Sequence, residues 1–443
     1  MKYIMIIIGK IILFCGKLLH RGSSLPGKII LRFYPHFMKK IKLPDKIIAV
    51  TGSSGKGSIS STVAEVYRKL GYRVAHNVAG SNLTYGIATL LLQYCSIIGK
   101  LKCDVLVFEI DERYAKYVFP DIKPTHVLIS NISRDQPPRQ GHFDFVYEEI
   151  KSALSKVMHL ILNADDPMLQ IFNLENEFQV TYYSMDQNQY SYPKSKFKNL
   201  NITHCPVCHH KLIYDYYHFE TLGHYHCSHC KFQTPKAKYH ITNLNFDTPT
   251  MTINEKYVIQ LPYDMLYCAY NTLAAFTIVA TTEKEEEKIA TYLNALNVKQ
   301  KNHLHTTFQN RNVYILNNKN ENATTFNQSI LFTDRHNGKK TLVIGWKEIS
   351  RRYQFDDLSW LYDVDFELFA RHDIDTVICI GLHRYDIATR MKYAGIDEKK
   401  IKTFESLEGV TACLEKTKGD IFAILNFDLV LPFQESLKEG DSK

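Results

Sequence analysis

Residues 46–70, KIIAVTGSSGKGSISSTVAEVYRKL, place three kinds of backbone in an order that few folds accommodate. The β-branched run from Ile47 to Val50 reads as a buried strand, and TGSSGKGS follows it without a break. From Ile59 the apolar positions fall at Val63, Val66 and Leu70, a helical period that Gly71 closes. Strand, glycine loop and helix in that order belong to an α/β fold with a parallel sheet. A phosphate group at such a loop meets unpaired backbone N–H donors and the positive end of a helix dipole. Gly52 and Gly55 let the chain curl without Cβ clashes, and Lys56 reaches the β and γ phosphates as a point charge. The loop of Gly52, Ser53, Ser54, Gly55, Lys56, Gly57 and Ser58 is therefore read as a nucleoside triphosphate site. It is one residue shorter than G-x-x-x-x-G-K-[ST], and Gly57 stands where a metal-binding hydroxyl usually sits, which leaves Ser58 as the nearest substitute. The competing reading is a glycine turn with a solvated lysine.

At 443 residues the chain has room for two or three domains, and 45% hydrophobic with 23% charged residues is ordinary for a soluble globular protein. The formal charge of +8 is modest and basic residues are spread along the chain, so no nucleic-acid partner is expected. Residues 1–20, MKYIMIIIGKIILFCGKLLH, are apolar but interrupted by Lys10 and Lys17, and no small-residue cleavage site follows. A membrane span needs about 20 apolar residues, so two readings remain. One is a helix packed on the domain behind it; the other is an amphipathic segment resting on a membrane surface. Ten cysteines, mostly scattered singly, suit a reducing cytoplasm.

Downstream, apolar runs alternate with helical patterns, which implies a mostly parallel, doubly wound sheet. The run DVLVFEI (Asp104 to Ile110) ends among Glu109, Asp111 and Glu112. Acidic residues at the carboxyl end of such a strand lie where ligands bind, and Mg²⁺ takes one or two carboxylates alongside substrate phosphates. Glu109 is the first candidate for that metal, with Ser58. Cys205-Pro-Val-Cys208 and Cys227-Ser-His-Cys230 form two C-x-x-C knuckles, a spacing that suits one closed, structural, tetrahedral zinc site. The tyrosines and histidines between them are read as packing for a small ribbon. A second α/β unit begins near Val298, with strands expected at 312–316, 341–344, 376–380 and 421–425.

The glycine loop, Glu109 in FEIDE, NISRDQ (Asn131 to Gln136), LNADDP (from Leu162) and YNTLAA (Tyr270 to Ala275) occur in the order found in the Mur ligases. The chain resembles most the MurT-type subunits of lipid II isoglutaminyl synthase, which also carry a zinc ribbon at this place. That resemblance implies an amino-terminal helical segment (1–44), a central ATP-binding domain (45–297) with the ribbon inserted at 200–235, and a carboxyl-terminal Rossmann-like domain (298–443). It implies ATP held by the loop and Asn271, Mg²⁺, structural Zn²⁺, and catalytic roles for Lys56 and Glu109. The reaction implied is amidation of the D-glutamate α-carboxylate of lipid II through an acyl phosphate. Ammonia would come from a GatD-type glutaminase. In DLSWLYDVDFE (Asp357 to Glu367), Asp357 would orient that partner's catalytic histidine, with Asp363 the fallback. Location would be cytoplasmic, with contact at the inner membrane face a further reading.

The sequence departs from this family at several places: RDQPPRQGH (134–142) lacks an aspartate and a glutamate, Cys268 replaces an asparagine, NHLH (302–305) replaces an arginine motif, and WKEISRRYQF (346–355) replaces an ADG-containing loop. GSSGKGS is closer to folylpolyglutamate synthetases. Two other functions therefore stand beside the first: a ligase for another carboxylate, and a catalytically weak paralogue acting as a scaffold or regulator.

Overall fold

The structure, a computed structural model, describes residues 2–18, 24–77, 81–134, 141–296, 303–318, 323–346 and 357–441. The chain forms two compact units: Met1–Ile132 with Phe143–Lys194 and Ile202–Asn297, and Ser133–His142 with Ser195–Asn201 and Val298–Lys443.

The first unit is built on strands β1 (Lys46–Thr51), β2 (Val74–His76), β3 (Val105–Glu109), β4 (His126–Ile129), β5 (His159–Asn163) and β6 (Gln179–Met185). A separate hairpin, β7 (Leu212–Phe219) and β8 (Leu222–Cys227), precedes β9 (Tyr239–Asn245), β10 (Thr250–Ile253) and β11 (Tyr257–Gln260). The sheet order is β11-β10-β9-β6-β5-β4-β1-β3-β2. All pairs from β2 to β9 are parallel, and β10 and β11 add an antiparallel edge. Both faces of a parallel sheet are covered, which is why β1 and β3 read as continuous apolar runs. β1 lies between β3 and β4, so its carboxyl end opens at the centre of the sheet edge.

The helix Lys2–Leu18 packs on the helices Leu25–Phe33 and Thr84–Tyr94 through Ile6, Gly9 and Leu13. Gly9 permits the approach: a Cβ there would stand 2.6 Å from Ile30 Cδ1 and 2.9 Å from Leu92 Cδ1. Ile6, Leu13, Ile30 and Phe37 share one buried core with Ile47, Ala49, Leu106 and Phe108, which is the packed reading for the described residues 2–18. The stretch AGSNLTYGI (79–87) reads by its glycines and polar residues as a loop folding over the phosphates; instead the helix already starts at Thr84, and 78–80 lie outside the described residues.

The second unit holds β12 (His303–Phe308), β13 (Arg311–Asn318), β14 (Lys340–Gly345), β15 (Ile374–Ile380), β16 (Ile401–Phe404) and β17 (Asp420–Asn426), ordered β12-β13-β17-β14-β15-β16. Five strands are parallel, and β12 pairs antiparallel to β13. Its core joins Val313, Ile315, Val343, Ile378 and Ile421 to Phe433 of the last helix. The four strands expected from sequence lie within β13, β14, β15 and β17. β16 has no buried residue to announce it, and β12 interleaves polar residues, so neither produced an apolar run.

Candidate nucleotide and metal sites

Between β1 and the helix Lys56–Lys69, Gly52 and Gly55 adopt φ of +121° and +80°, the left-handed region where a side chain is strained. A Cβ at Gly52 would stand 2.4 Å from Ser130 Oγ, and one at Gly55 would stand 2.6 Å from Asn271 Oδ1. The loop is therefore seated against the end of β4 on one side and the helix Leu266–Glu283 on the other. Ser53 N donates to Asn131 O at 2.9 Å and Ser54 N to Asn131 Oδ1 at 3.0 Å. Asn131 Nδ2 and Ser130 Oγ both donate to Ser54 O, at 3.1 and 2.6 Å. Ser130 and Asn131 thus fix the curl of the loop. The sequence flagged Asn131 only through the family resemblance and Ser130 not at all, because a short polar pair after a strand carries no signature of its own.

Lys56 Nζ, at the helix start, donates to Gly52 O, to Ser53 O at 3.3 Å and to Glu112 Oε2 at 3.1 Å. Burial works to lower its pKa, but the carboxylates of Glu112, Asp111 and Glu109 outweigh it and hold the ammonium above its ordinary value. Lys56 is a fixed cation. Glu109 ends β3 with its Oε1 accepting from Asn82 Nδ2 at 2.8 Å. Asn77, at the end of β2, accepts from Glu109 N and donates to Glu109 O, both at 2.9 Å, which locks this strand end.

A Cβ on Gly57 would stand 3.0 Å from Glu109 Oε2, so Gly57 is the position that faces the carboxylate. Ser58 is exposed, about 100° further round the helix. Magnesium, which binds through one or two carboxylates and phosphate oxygens, fits Glu109 beside the loop. The loop residues, Lys56, Glu109 and Asn271 meet in one place; Ser58 stays at its rim.

LNADDP supports this edge from behind. Asp165 Oδ2 accepts from Tyr270 Oη at 2.8 Å and from Met185 N at 2.7 Å, while Asp166 Oδ1 caps the short helix Pro167–Gln170 through Met168 N at 2.9 Å. Burial pushes these carboxyls up, Asp165 to about 8 and Asp166 to about 7. A carboxyl raised in the folded state binds more protons there than in the unfolded chain. The stability it contributes therefore falls as pH rises from about 4 towards the folded values. Asp165→Asn keeps an acceptor for both donors without the buried charge. It is expected to raise the melting temperature at pH 8 by at least roughly 2–4 °C and to change it little at pH 5. A melting difference that is equal at both pH values would count against this assignment.

The four thiols of Cys205, Cys208, Cys227 and Cys230 lie within 4.8 Å of one another, with Cys205–Cys230 and Cys208–Cys227 Sγ separations of 3.4 Å. Ligands about 2.3 Å from a tetrahedral zinc stand roughly 3.8 Å apart, so the quartet fits zinc with small adjustments. Val207 N and His229 N donate to Cys205 and Cys227 Sγ at 3.4 Å, as knuckle amides two residues on from a ligand. The ribbon's own core is Leu212, Tyr225 and Phe232 with the two buried thiols. It is tied down by Tyr225 Oη to Gln170 Oε1 at 2.8 Å and Gly223 N to Asp165 O at 3.0 Å.

In the second unit, Asp357 Oδ1 accepts from Ser359 N at 2.8 Å and opens the 3₁₀ turn Ser359–Tyr362. The residues after it are anchored. Trp360 packs on Trp346 and Phe326, with centroids 5.5 and 5.7 Å apart. The buried Arg390 donates to Leu361 O, Val364 O and Glu367 Oε2 at 2.7–3.0 Å. Asp365 accepts from Lys198 N and Asn199 N at 2.9 and 3.2 Å. Asp363 is paired with Arg134 at 2.5 Å. Asp357 and Asp363 are both partly exposed, whereas Asp365 is buried. Asp135 and Gln136, residues 319–322 and residues 347–356 lie outside the described residues.

Residues 50–228 match the Mur ligase middle domain and residues 320–427 match the MurT ligase C-terminal family. The chain is similar to the lipid II isoglutaminyl synthase (glutamine-hydrolyzing) subunit MurT of Staphylococcus aureus strain COL, 28% identical over 425 residues, 95% of this chain and 94% of that protein. The subunit of the same name from Streptococcus pneumoniae strain ATCC BAA-255 / R6 is 26% identical over 430 residues, covering 95% and 93%. Among solved structures, a pseudomurein peptide ligase type C from Methanothermus fervidus superposes with a TM-score of 0.69 at 20% identity, covering 91% of this chain and 80% of that one.

Proposed function

Since the chain belongs to the Mur ligase family, with a MurT-type carboxyl-terminal domain, we propose that it is the ATP-dependent ligase subunit of a lipid II amidating complex. One observation carries this reading: a rigid glycine loop, a buried lysine cation and the Glu109 carboxylate converge at the carboxyl edge of the central sheet. The loop amides and Lys56 hold the ATP phosphates, Lys56 exchanging Glu112 for phosphate oxygens. Glu109 would hold Mg²⁺, which when bound would supply positive charge to the phosphates. A substrate carboxylate oxygen attacks the γ phosphorus and ADP departs. Ammonia then attacks the acyl carbon of the acyl phosphate and inorganic phosphate leaves, giving the carboxamide. The chain's part is positioning and electrostatic stabilisation.

The relatives' names specify a lipid II isoglutaminyl synthase that hydrolyses glutamine, which supports amidation of D-glutamate to D-isoglutamine. A GatD-type glutaminase would supply the ammonia, and the reaction would lie at the inner membrane face. Asp357 would orient the histidine of that partner's Cys-His pair, a role open to a half-exposed aspartate on an anchored turn. The ribbon quartet would hold structural zinc. The test supplies lipid II and ATP with either ammonium or glutamine plus the glutaminase. Asp357→Ala is expected to abolish the glutamine-driven reaction and leave the ammonium-driven one intact. Equal loss of both would refute the orienting role, and no product with either nitrogen source in the unaltered protein would refute the ligase reading.

A further inference from the structure

Lysines and arginines are spread along the chain, but the net charge is not. Residues 1–44 contain nine of them and no aspartate or glutamate, so the remaining residues, with one more acidic than basic side chain, are nearly neutral. The same segment has an inverted surface. The helix Lys2–Leu18 buries Ile6, Gly9 and Leu13 against the protein, and its outward positions are apolar: Tyr3, Ile4, Ile7, Ile8, Ile11 and Phe14. Ile4, Ile11 and Phe14 are 61%, 58% and 65% exposed. Ile97 and Ile98, 56% and 67% exposed, extend the patch, because the following Gly99 lies against the Lys2 side chain. Lys10 does not break the stripe, since its Nζ turns back to donate to Leu92 O at 3.1 Å. Lys28, Arg32, Lys39 and Lys40 of the same segment are exposed. Among the described residues no helix is long and apolar enough to cross a membrane.

We propose that this outward face of the first helix seats the protein on an anionic lipid surface, the helix lying in the plane of the interface. An apolar stripe on a 17-residue helix flanked by cations and free of acidic residues has the features of an interfacial helix. Two such segments brought together as a self-interface would place like charges side by side with no acidic group to offset them. An anionic bilayer accepts both features at once, the isoleucines into its acyl boundary and the lysines at its headgroups. None of these residues belongs to the nucleotide site, so the inference stands whether or not the ligase reading does.

The test is co-sedimentation of the full chain with phosphatidylcholine vesicles, with or without phosphatidylglycerol, at low and physiological salt. Binding is expected on the anionic vesicles and should weaken with salt. The Ile8→Glu/Ile11→Glu variant, with its helical circular dichroism retained, is expected to lose about tenfold or more in affinity. Lys39→Glu/Lys40→Glu, in a separate 3₁₀ turn, is expected to lose binding to anionic vesicles specifically, and it keeps the test decisive if the first variant misfolds. Failure of the unaltered chain to sediment with anionic vesicles would overturn the proposal, as would unchanged binding by a folded Ile8→Glu/Ile11→Glu variant. So would light scattering that shows a concentration-dependent dimer dissolved by that variant without lipid.

Discussion

Replacing Lys56 with alanine is expected to lower ATP-dependent product formation by at least about 10²–10³-fold, the usual cost of removing one preorganised group from a developing charge. Lys56 is a cation at the loop, sits at the positive end of the helix and is paired with Glu112, with the charges of Asp111 and Glu109 nearby. The substitution also leaves Glu112 buried without its partner. That carboxyl is already pushed up by burial, so it can take a proton and relieve part of the strain. The fold of the variant should therefore be checked by circular dichroism beside nucleotide binding. A folded variant with full turnover would remove Lys56 from the mechanism.

Removing the ribbon metal is the second large effect. The purified chain should carry one zinc measured by elemental mass spectrometry, and Cys227→Ser should lose it. The ribbon core is a leucine, two aromatic side chains and two thiols, too little apolar surface to hold a hairpin alone. Structural zinc binding to such modules is worth roughly 10–16 kcal/mol in isolated fingers, more than this core can replace. The expected readout is rapid proteolytic cleavage between residues 200 and 235 in Cys227→Ser, with the parallel sheet of the first unit retained. Zinc-free protein with an uncut ribbon would contradict the assignment.

The parts of this molecule legible in its sequence are those whose physics is local. Strand, glycine loop and helix at 46–70 announce themselves by periodicity, and the paired cysteines by ligand spacing. Gly52 and Gly55 are glycines because their φ values and the approach of Ser130 and Asn271 demand it, and the loop could be read without those partners. The partners themselves could not. Asn77, Asn82 and Asn131 stabilise the site through contacts 27 to 77 residues apart in the chain, and a single asparagine carries no long-range label. The magnesium expectation at Ser58 rested on sequence adjacency, whereas helix geometry turns Gly57 towards Glu109. In the second unit the DLSWLYDVDFE motif was recognised by resemblance. The structure supplies reasons for three of its residues, since Trp360, Asp365 and Glu367 are anchored by ring packing, by the 198–199 amides and by Arg390.

The most direct test of the central claim is mass spectrometry of lipid II after incubation with the purified chain, ATP, Mg²⁺ and ammonium chloride, with Lys56→Ala alongside. The account predicts a carboxylate converted to a carboxamide on the stem peptide, one ADP and one phosphate formed for each, and none of these in the variant. ATP bound but never turned over would mean a scaffold or regulator, and the absence of ATP binding would contradict the nucleotide site itself.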